Sequence, residues 1–139
     1  MIAKVFLILF TRIGPKYTMA KILIVDDDTK VTTLLKRFLS SAGYEVTAIN
    51  DSSKAVHTAD TIHPDLFILD IMMPQPDGYK LCTLFRADPK FARTPILIIT
   101  ALEDSNSKAT AFGANDFLAK PFDLDELAPR INALLMNNY

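Results

Sequence analysis

The stretch KILIVDDDTK, residues 21–30, places four aliphatic residues directly before three aspartates. The aliphatic run ILIV (22–25) is typical of a strand covered on both faces, as in a parallel sheet between two helix layers. Two unit charges about 4 Å apart repel by roughly 4 kcal/mol at the effective dielectric of a protein surface. The aspartates after this strand therefore either point apart or surround something positive.

Four further strand-like runs follow along the chain. Three are short and mostly apolar, namely LFILD (66–70), ILIIT (96–100) and DFLAK (116–120). The fourth, YEVTAIN (44–50), alternates between apolar and polar residues, so we predict that it lies at a sheet edge.

Apolar residues at helical spacing occupy the intervals between these runs. We expect the following apolar residues to lie in the core: Val31, Leu34, Leu35, Phe38 and Leu39 in a first helix; Val56, Ala59 and Ile62 in a second; Leu81, Leu84 and Phe85 in a third. The first helix has Asp28 or Thr29 as its cap and ends at Gly43. A short polar fourth helix is predicted at 103–112, and Asp123 with Glu126 resembles a capping box that begins a fifth.

Five strands alternating with five helices predict an α/β fold. The arrangement is a flavodoxin-like doubly wound five-stranded parallel sheet in the order 2-1-3-4-5. In such sheets, ligands bind beyond the carboxyl ends of the strands where the winding reverses, which is here between the first and third strands.

Polar residues end four of the five predicted strands. They are Asp26 and Asp27, Asp70, Thr100 and Lys120. Each one alone has an ordinary explanation as a helix cap, a turn residue or a solvated lysine, but all of them fall at one rim of the sheet. Three carboxylates on neighbouring strands form a pocket of hard oxygen ligands that suits Mg²⁺. The positive charges of this cation and of Lys120 would neutralise the aspartates and so offset their mutual repulsion. Asp28 does not take part, because it caps the first helix.

Composition narrows the function classes. The chain has 139 residues, a formal net charge of −1 and no basic excess that would indicate nucleic-acid binding. Cys82 is the single cysteine, so no intrachain disulfide forms and we expect a reducing, cytoplasmic location. The apolar run VFLILF (5–10) is far shorter than the ~20 residues of a membrane helix. We interpret residues 1–18 as an extension, either non-native or disordered, and 19–139 as the folded domain.

Four stretches together resemble the receiver domain of two-component response regulators. They are ILIVDDD (22–28), PDLFILDIMMPQPDG (64–78), ILIITA (96–101) and GANDFLAKPF (113–122). The resemblance implies a bacterial-type phosphorelay protein that is not an enzyme but a phosphoacceptor, and that assists its own phosphorylation and slow dephosphorylation. It also implies that Asp70 takes a phosphoryl group from a phosphohistidine in the presence of Mg²⁺.

The same resemblance assigns a role to each rim residue. Asp27 binds the metal directly, Asp26 mostly through water, and the carbonyl of Met72 is a backbone ligand alongside Asp70. Thr100 and Lys120 hold the phosphoryl group, and the Lys120–Pro121 peptide is cis. Phe117 turns inward when Thr100 moves, which shifts the face formed by the fourth helix, the fifth strand and the fifth helix.

The implied partners are proteins. A sensor histidine kinase or a histidine phosphotransfer protein donates the phosphoryl group, and a downstream protein or output domain responds. We expect no membrane association and no direct nucleic-acid binding by this chain, and a homodimer can form on phosphorylation. Met72 and Leu102 are apolar at positions that flank the hydrolytic water in this family, which suggests a long-lived phosphoryl group.

The main alternative is a haloacid-dehalogenase-type phosphohydrolase, which also uses a strand-end aspartate, a threonine and a lysine. Its first motif requires threonine or valine where this chain has Lys30, and its final acidic motif is missing here. A flavodoxin-like cofactor binder is a third possibility, but the acidic sequence DDDTK (26–30) would repel a phosphate group. An inactive receiver would not need the complete set of rim residues.

Overall fold

The computed structural model describes residues 19–101 and 112–137 of the chain. Five strands, β1 (Lys21–Val25), β2 (Glu45–Ile49), β3 (Leu66–Leu69), β4 (Ile96–Thr100) and β5 (Asp116–Ala119), form one sheet in the order β2-β1-β3-β4-β5. All four pairings are parallel. The predicted fold class and strand order are therefore confirmed.

Four α-helices lie in the described ranges: α1 (Thr29–Ser41), α2 (Ala55–Ile62), α3 (Gly78–Ala87) and α4 (Leu124–Met136). A 3-10 turn, Ser52–Lys54, directly precedes α2. Helix α4 is the fifth of the predicted helices, because the predicted fourth helix falls almost entirely on residues 102–111, outside the described part. Within that part, no helix is long and apolar enough to cross a membrane.

Side chains of β1 alternate between two hydrophobic cores, one on each face of the sheet. Ile22 and Ile24 pack with residues of α1 and α4, whereas Leu23 and Val25 pack with residues of α2 and α3. The central strands β1, β3 and β4 are almost fully buried, while β2 at the edge is only partly buried. This arrangement explains the continuous apolar runs that the central strands show in the sequence.

Three apolar residues predicted to be core are exposed instead. Leu34, Val56 and Leu84 retain 48%, 37% and 38% of their accessible surface. The buried residues of α1 are Thr32, Leu35 and Leu39. The face of the helix that packs on the sheet therefore does not include Leu34. A sheet covers only one side of a helix, and a wide apolar stripe leaves its margin in solvent.

The helix caps are only partly as predicted. The Asp28 side chain accepts a hydrogen bond from the Lys30 amide (2.9 Å), and Gly43 has a φ of +102° just after α1. The prediction of a capping box at Asp123 is wrong. Among the described residues, no backbone amide donates a hydrogen bond to the Asp123 carboxylate. The Glu126 amide, which such a cap would bind, donates to the Asp123 backbone carbonyl instead (3.0 Å).

This difference between caps predicts unequal effects of two aspartate-to-alanine substitutions. Asp77 caps α3 by accepting the Lys80 amide (2.9 Å), so Asp77→Ala should lower the free energy of unfolding by about 1 kcal/mol. Asp123→Ala removes no cap hydrogen bond and should cost at most half as much. Urea denaturation of the two variants without divalent cations measures the difference, and equal losses would contradict the assignment of the caps.

Candidate functional site

Two buried aspartates directly follow neighbouring strands. Asp26 comes after β1 and Asp70 after β3, and the register of these strands pairs Val25 with Leu69. The Asp70 amide donates to the Val25 carbonyl (3.0 Å), which continues the ladder by one step. The two aspartates are only 3% and 6% exposed. Parallel pairing therefore holds both carboxylates at one edge of the sheet.

Asp27 completes a cluster of three carboxylates. One oxygen from each of Asp26, Asp27 and Asp70 lies within 4.8 Å of the others, and Asp27 is exposed to solvent. Only oxygen ligands are present, and one side is open, so a cation could enter and keep several waters. This donor set fits Mg²⁺, which prefers carboxylates and retains part of its hydration shell.

Lys120, the residue after β5, supplies the positive charge within this cluster. Its Nζ atom donates to Asp26 Oδ2 at 2.7 Å and to Asp70 Oδ2 at 3.2 Å. The Lys120 amide donates to the Thr100 carbonyl (2.9 Å), and the Lys120–Pro121 peptide is cis, as the family resemblance implies. Lys120 therefore links the ends of β1, β3, β4 and β5.

Burial and charge have opposing effects on the ionisation of these groups. Burial raises the pKa of Asp26 above its usual range, although hydrogen bonds from Lys120 and from the Asp28 amide act against it. Burial by itself lowers the pKa of Lys120, but the hydrogen bonds and charges of Asp26 and Asp70 outweigh it and raise the pKa above the usual lysine value. Lys120 is consequently charged at neutral pH.

Of the other three residues predicted for the site, Thr100 and Met72 lie at the same rim as this cluster, and Phe117 lies further back along β5. Thr100 is the last residue of β4 and is fully buried. The Met72 amide donates to Asp70 Oδ1 (3.2 Å), while the Met72 residue is 57% exposed. Phe117 lies on β5 opposite Ile98 and packs partly buried against the core shared with α2 and α3.

Three residues that the sequence reasoning missed also support the site. A Cβ atom on Gly78 would lie 2.7 Å from Ile71 Cα and closer still to the Asp70 carbonyl oxygen, so only glycine fits there. Asn50 and Ser52, which follow β2, donate hydrogen bonds to Asp26 and Pro74 in the loops after β1 and β3. Their position after a strand at the same rim was the available signal, since β2 was also expected to end there.

Comparison with known proteins agrees with this geometry. Residues 22–132 match the family model of the response regulator receiver domain. The chain belongs to this family. The receiver domain is a phosphorylatable signalling switch of two-component systems, which confirms the predicted family and function. A haloacid-dehalogenase-type phosphohydrolase is not supported.

Individual relatives show how far the similarity extends. The receiver domain is 41% identical over 119 residues to the DNA-binding dual master transcriptional regulator RpaA of Synechocystis, covering 84% of this chain and 49% of that protein. It is 38% identical over 117 residues to the regulatory protein PhoP of Bacillus subtilis, covering 83% and 48%. The chain thus spans about half the length of the curated relatives it matches.

The fold also matches a solved receiver structure. Chemotaxis protein CheY4 of Vibrio cholerae superposes with a TM-score of 0.79 at 30% identity, covering 84% of this chain and 99% of that one.

Removing the Lys120 ammonium should destabilise the receiver domain in the absence of divalent cations. Lys120→Met leaves two buried carboxylates without their counter-charge, so we expect a loss of roughly 3 kcal/mol in the free energy of unfolding at neutral pH. MgCl₂ should recover much of this loss. Lowering the pH should also reduce this loss. Lys120 holds the pKa of Asp26 down, so its removal raises that pKa further, and the folded variant then takes up a proton on Asp26 at a higher pH than the wild type does.

Lys90→Met is a matched control. Lys90 also bridges two aspartates, Asp60 and Asp88, but its side chain is 50% exposed and screened by solvent, so Lys90→Met should cost only a small fraction of the Lys120→Met loss. Urea denaturation of both variants with EDTA or MgCl₂ tests the comparison. Equal losses, or a Lys120→Met loss that MgCl₂ does not reduce, would contradict the described role of Lys120.

Proposed function

We propose that Asp70 is the phosphoacceptor of this receiver domain and that a phosphohistidine of a sensor kinase or phosphotransfer protein is the donor. The observation that supports this most is the contact of one ammonium, Lys120 Nζ, with both Asp26 and Asp70 inside a three-carboxylate cluster. Of these carboxylates, Asp70 directly follows the central strand β3, which lies between β1, the strand before Asp26, and β4, the strand that ends at Thr100.

The transfer requires little covalent chemistry from the protein. An Asp70 carboxylate oxygen attacks phosphorus, the phosphorus–nitrogen bond to imidazole breaks, and a neutral histidine leaves after taking up a proton. Phosphoryl transfer passes through a loose transition state, so positioning and charge neutralisation supply most of the catalysis. Lys120 neutralises oxygens of the phosphoryl group, and the Thr100 hydroxyl and the Met72 amide donate hydrogen bonds to them.

Asp26, Asp27, Asp70 and the carbonyl of Met72 would hold Mg²⁺, Asp26 mainly through water. When bound, this ion supplies positive charge to the phosphoryl oxygens. The buried Asp26 carboxylate is already fixed, because its Oδ1 accepts the Asp28 amide (2.9 Å) and its Oδ2 accepts Lys120. Fixed carboxylates lower the cost of ordering the site when the ion binds.

The output of the switch follows from the added charge. A phosphoryl group on Asp70 brings up to roughly two negative charges. Attraction of the Thr100 hydroxyl to these charges leaves space that Phe117 can fill, and Phe117 lies on β5 beside β4. The surface that changes includes β5, the predicted helix at 103–112 and α4, and it is the surface through which a phosphorylated homodimer or a downstream partner would bind.

The partners belong to a cytoplasmic two-component pathway. RpaA, ycf27 of Cyanophora paradoxa and PhoP are all described as transcriptional regulators, and this chain matches about half of each. We propose that the receiver domain controls either a linked output domain or a separate protein target, without binding nucleic acid itself. We also propose that residues 19–139 form the receiver domain and that residues 1–18 are an extension of it.

Phosphorylation with a small donor tests the acceptor. After incubation with acetyl phosphate and MgCl₂, the wild-type chain should gain the mass of one phosphoryl group, and Asp70→Asn should gain none. Asp77→Asn is the control, because asparagine can still cap α3. Labelling of Asp70→Asn to the wild-type level would exclude this residue as the acceptor, and rapid turnover of external phosphoesters would favour a hydrolase.

The exposed Met72 side chain predicts a long-lived phosphoryl group. Met72 cannot orient a hydrolytic water, whereas an asparagine can donate or accept a hydrogen bond there, so Met72→Asn should dephosphorylate severalfold faster. The second predicted position, Leu102, lies outside the described residues. Mass spectrometry over time measures the decay, and Met19→Asn, at a similarly exposed methionine before β1, is the control. An unchanged lifetime in Met72→Asn would show that this side chain does not limit hydrolysis.

A further inference from the structure

We propose that the turn after β2 positions the two acidic loops of the receiver domain and thereby determines its affinity for Mg²⁺. Asn50 and Ser52, two side chains of this turn, each hydrogen bond one of these loops. This inference rests on the proposed metal site, but it concerns residues that carry no metal ligand.

Asn50 fixes the loop after β1. Its Nδ2 atom donates to the backbone carbonyl of Asp26 (2.8 Å) and to the hydroxyl of Thr32 (2.9 Å), which is buried in α1. The Asp26 amide donates to the Ile49 carbonyl (3.2 Å). The peptide groups on both sides of Asp26 are thus held by the end of β2, and this sets the direction in which the chain leads into Asp27.

Ser52 fixes the loop after β3. Its hydroxyl donates to the Pro74 carbonyl (2.9 Å), and the residue is only 5% exposed. Pro74 lies in the segment between Asp70 and Gly78, which also contains Met72, whose amide binds Asp70. A hydrogen bond at this depth is shielded from water and restrains the loop that carries the proposed carbonyl ligand.

Within the described residues, the neighbouring Asp51 and Ser53 make no such link. The Asp51 carboxylate accepts hydrogen bonds from the amide and hydroxyl of Ser53 (3.0 and 2.6 Å), so these two residues satisfy each other within the turn. The contacts to the acidic loops come from alternate positions, Asn50 and Ser52. Chemically similar residues therefore differ in whether they reach the site, which provides an internal control.

A common anchor for both loops affects metal binding for a geometric reason. Mg²⁺ demands nearly ideal octahedral ligand geometry at short distances. The carboxylates of the two loops repel each other, and loops that are free to separate would relieve this repulsion at the expense of the ligand geometry. Removing an outer-shell hydrogen bond to a metal ligand typically changes metal affinity by about tenfold or more. Asn50 and Ser52 act on the backbone of the loops that carry the ligands, and we expect an effect of about the same size.

Magnesium titrations of single variants test the proposal. We expect Asn50→Ala and Ser52→Ala each to raise the Mg²⁺ dissociation constant about tenfold, as measured by amide chemical shifts of the full chain. Ser53→Ala should stay within twofold of the wild type, and Ser52→Thr, which keeps the hydroxyl, should recover most of the affinity. Urea denaturation in EDTA separates positioning from stability, because a purely structural role would change stability without this pattern of affinities.

The proposal is overturned if Asn50→Ala and Ser52→Ala bind Mg²⁺ as tightly as Ser53→Ala does. Asn50 is exposed to solvent, so Asn50→Ala should fold and decides the question if Ser52→Ala does not fold. If the wild-type chain binds Mg²⁺ and the Asn50→Ala and Ser52→Ala variants bind it equally tightly, this inference is rejected and the proposed function is unaffected. Failure of the wild-type chain to bind Mg²⁺ would reject both.

Discussion

Parallel pairing of β1 with β3 brings the carboxylates of Asp26 and Asp70 close together, and the other residues of the site offset the repulsion between them. Asp26 and Asp70 follow adjacent strands, are almost completely buried and share a single ammonium, that of Lys120. With Asp27, three carboxylates face one lysine, which leaves about two negative charges uncompensated when all are ionised. A divalent cation has the charge that this arrangement lacks, and so the same feature that costs stability in the free protein creates affinity for the ion.

Most of the fold could be predicted from the sequence because its strands are buried on both faces. Such strands appear as apolar runs. The handedness of the connections leaves few strand orders, and the alternating pattern of β2 favours the order that has this strand at the edge. Solvent exposure was harder to predict, since Leu34 and Leu84 have the spacing of core residues but lie at the margin of the helix surface that the sheet covers. The Asp123 cap also failed, because two hydrogen-bonding arrangements compete for the same amide of Glu126.

The acidic residues of the site could be predicted because strand ends are local features of the sequence. Asn50 and Ser52 could not be assigned in the same way, because their partners are 24 and 22 residues away and depend on how the loops turn. Lys120 was placed at the rim from its position after an apolar run, but its simultaneous contact with two carboxylates is a three-dimensional result. Sequence patterns thus identify which strand ends meet at the rim of the sheet. Which side chains contact one another there is seen only in the three-dimensional structure.

The close approach of Gly78 to the Asp70 carbonyl has a mechanical consequence. Helix α3 begins at Gly78, and the space beside this residue is filled by the backbone of Asp70 and Ile71. Any appreciable shift of the Asp70 peptide toward the helix must therefore push the first turn of α3, since no gap remains to absorb it. Asp70, the proposed acceptor, is therefore in direct steric contact with the start of this helix, and the stacked rings of Phe67 and Phe85 (4.0 Å between centroids) pack the same helix against β3.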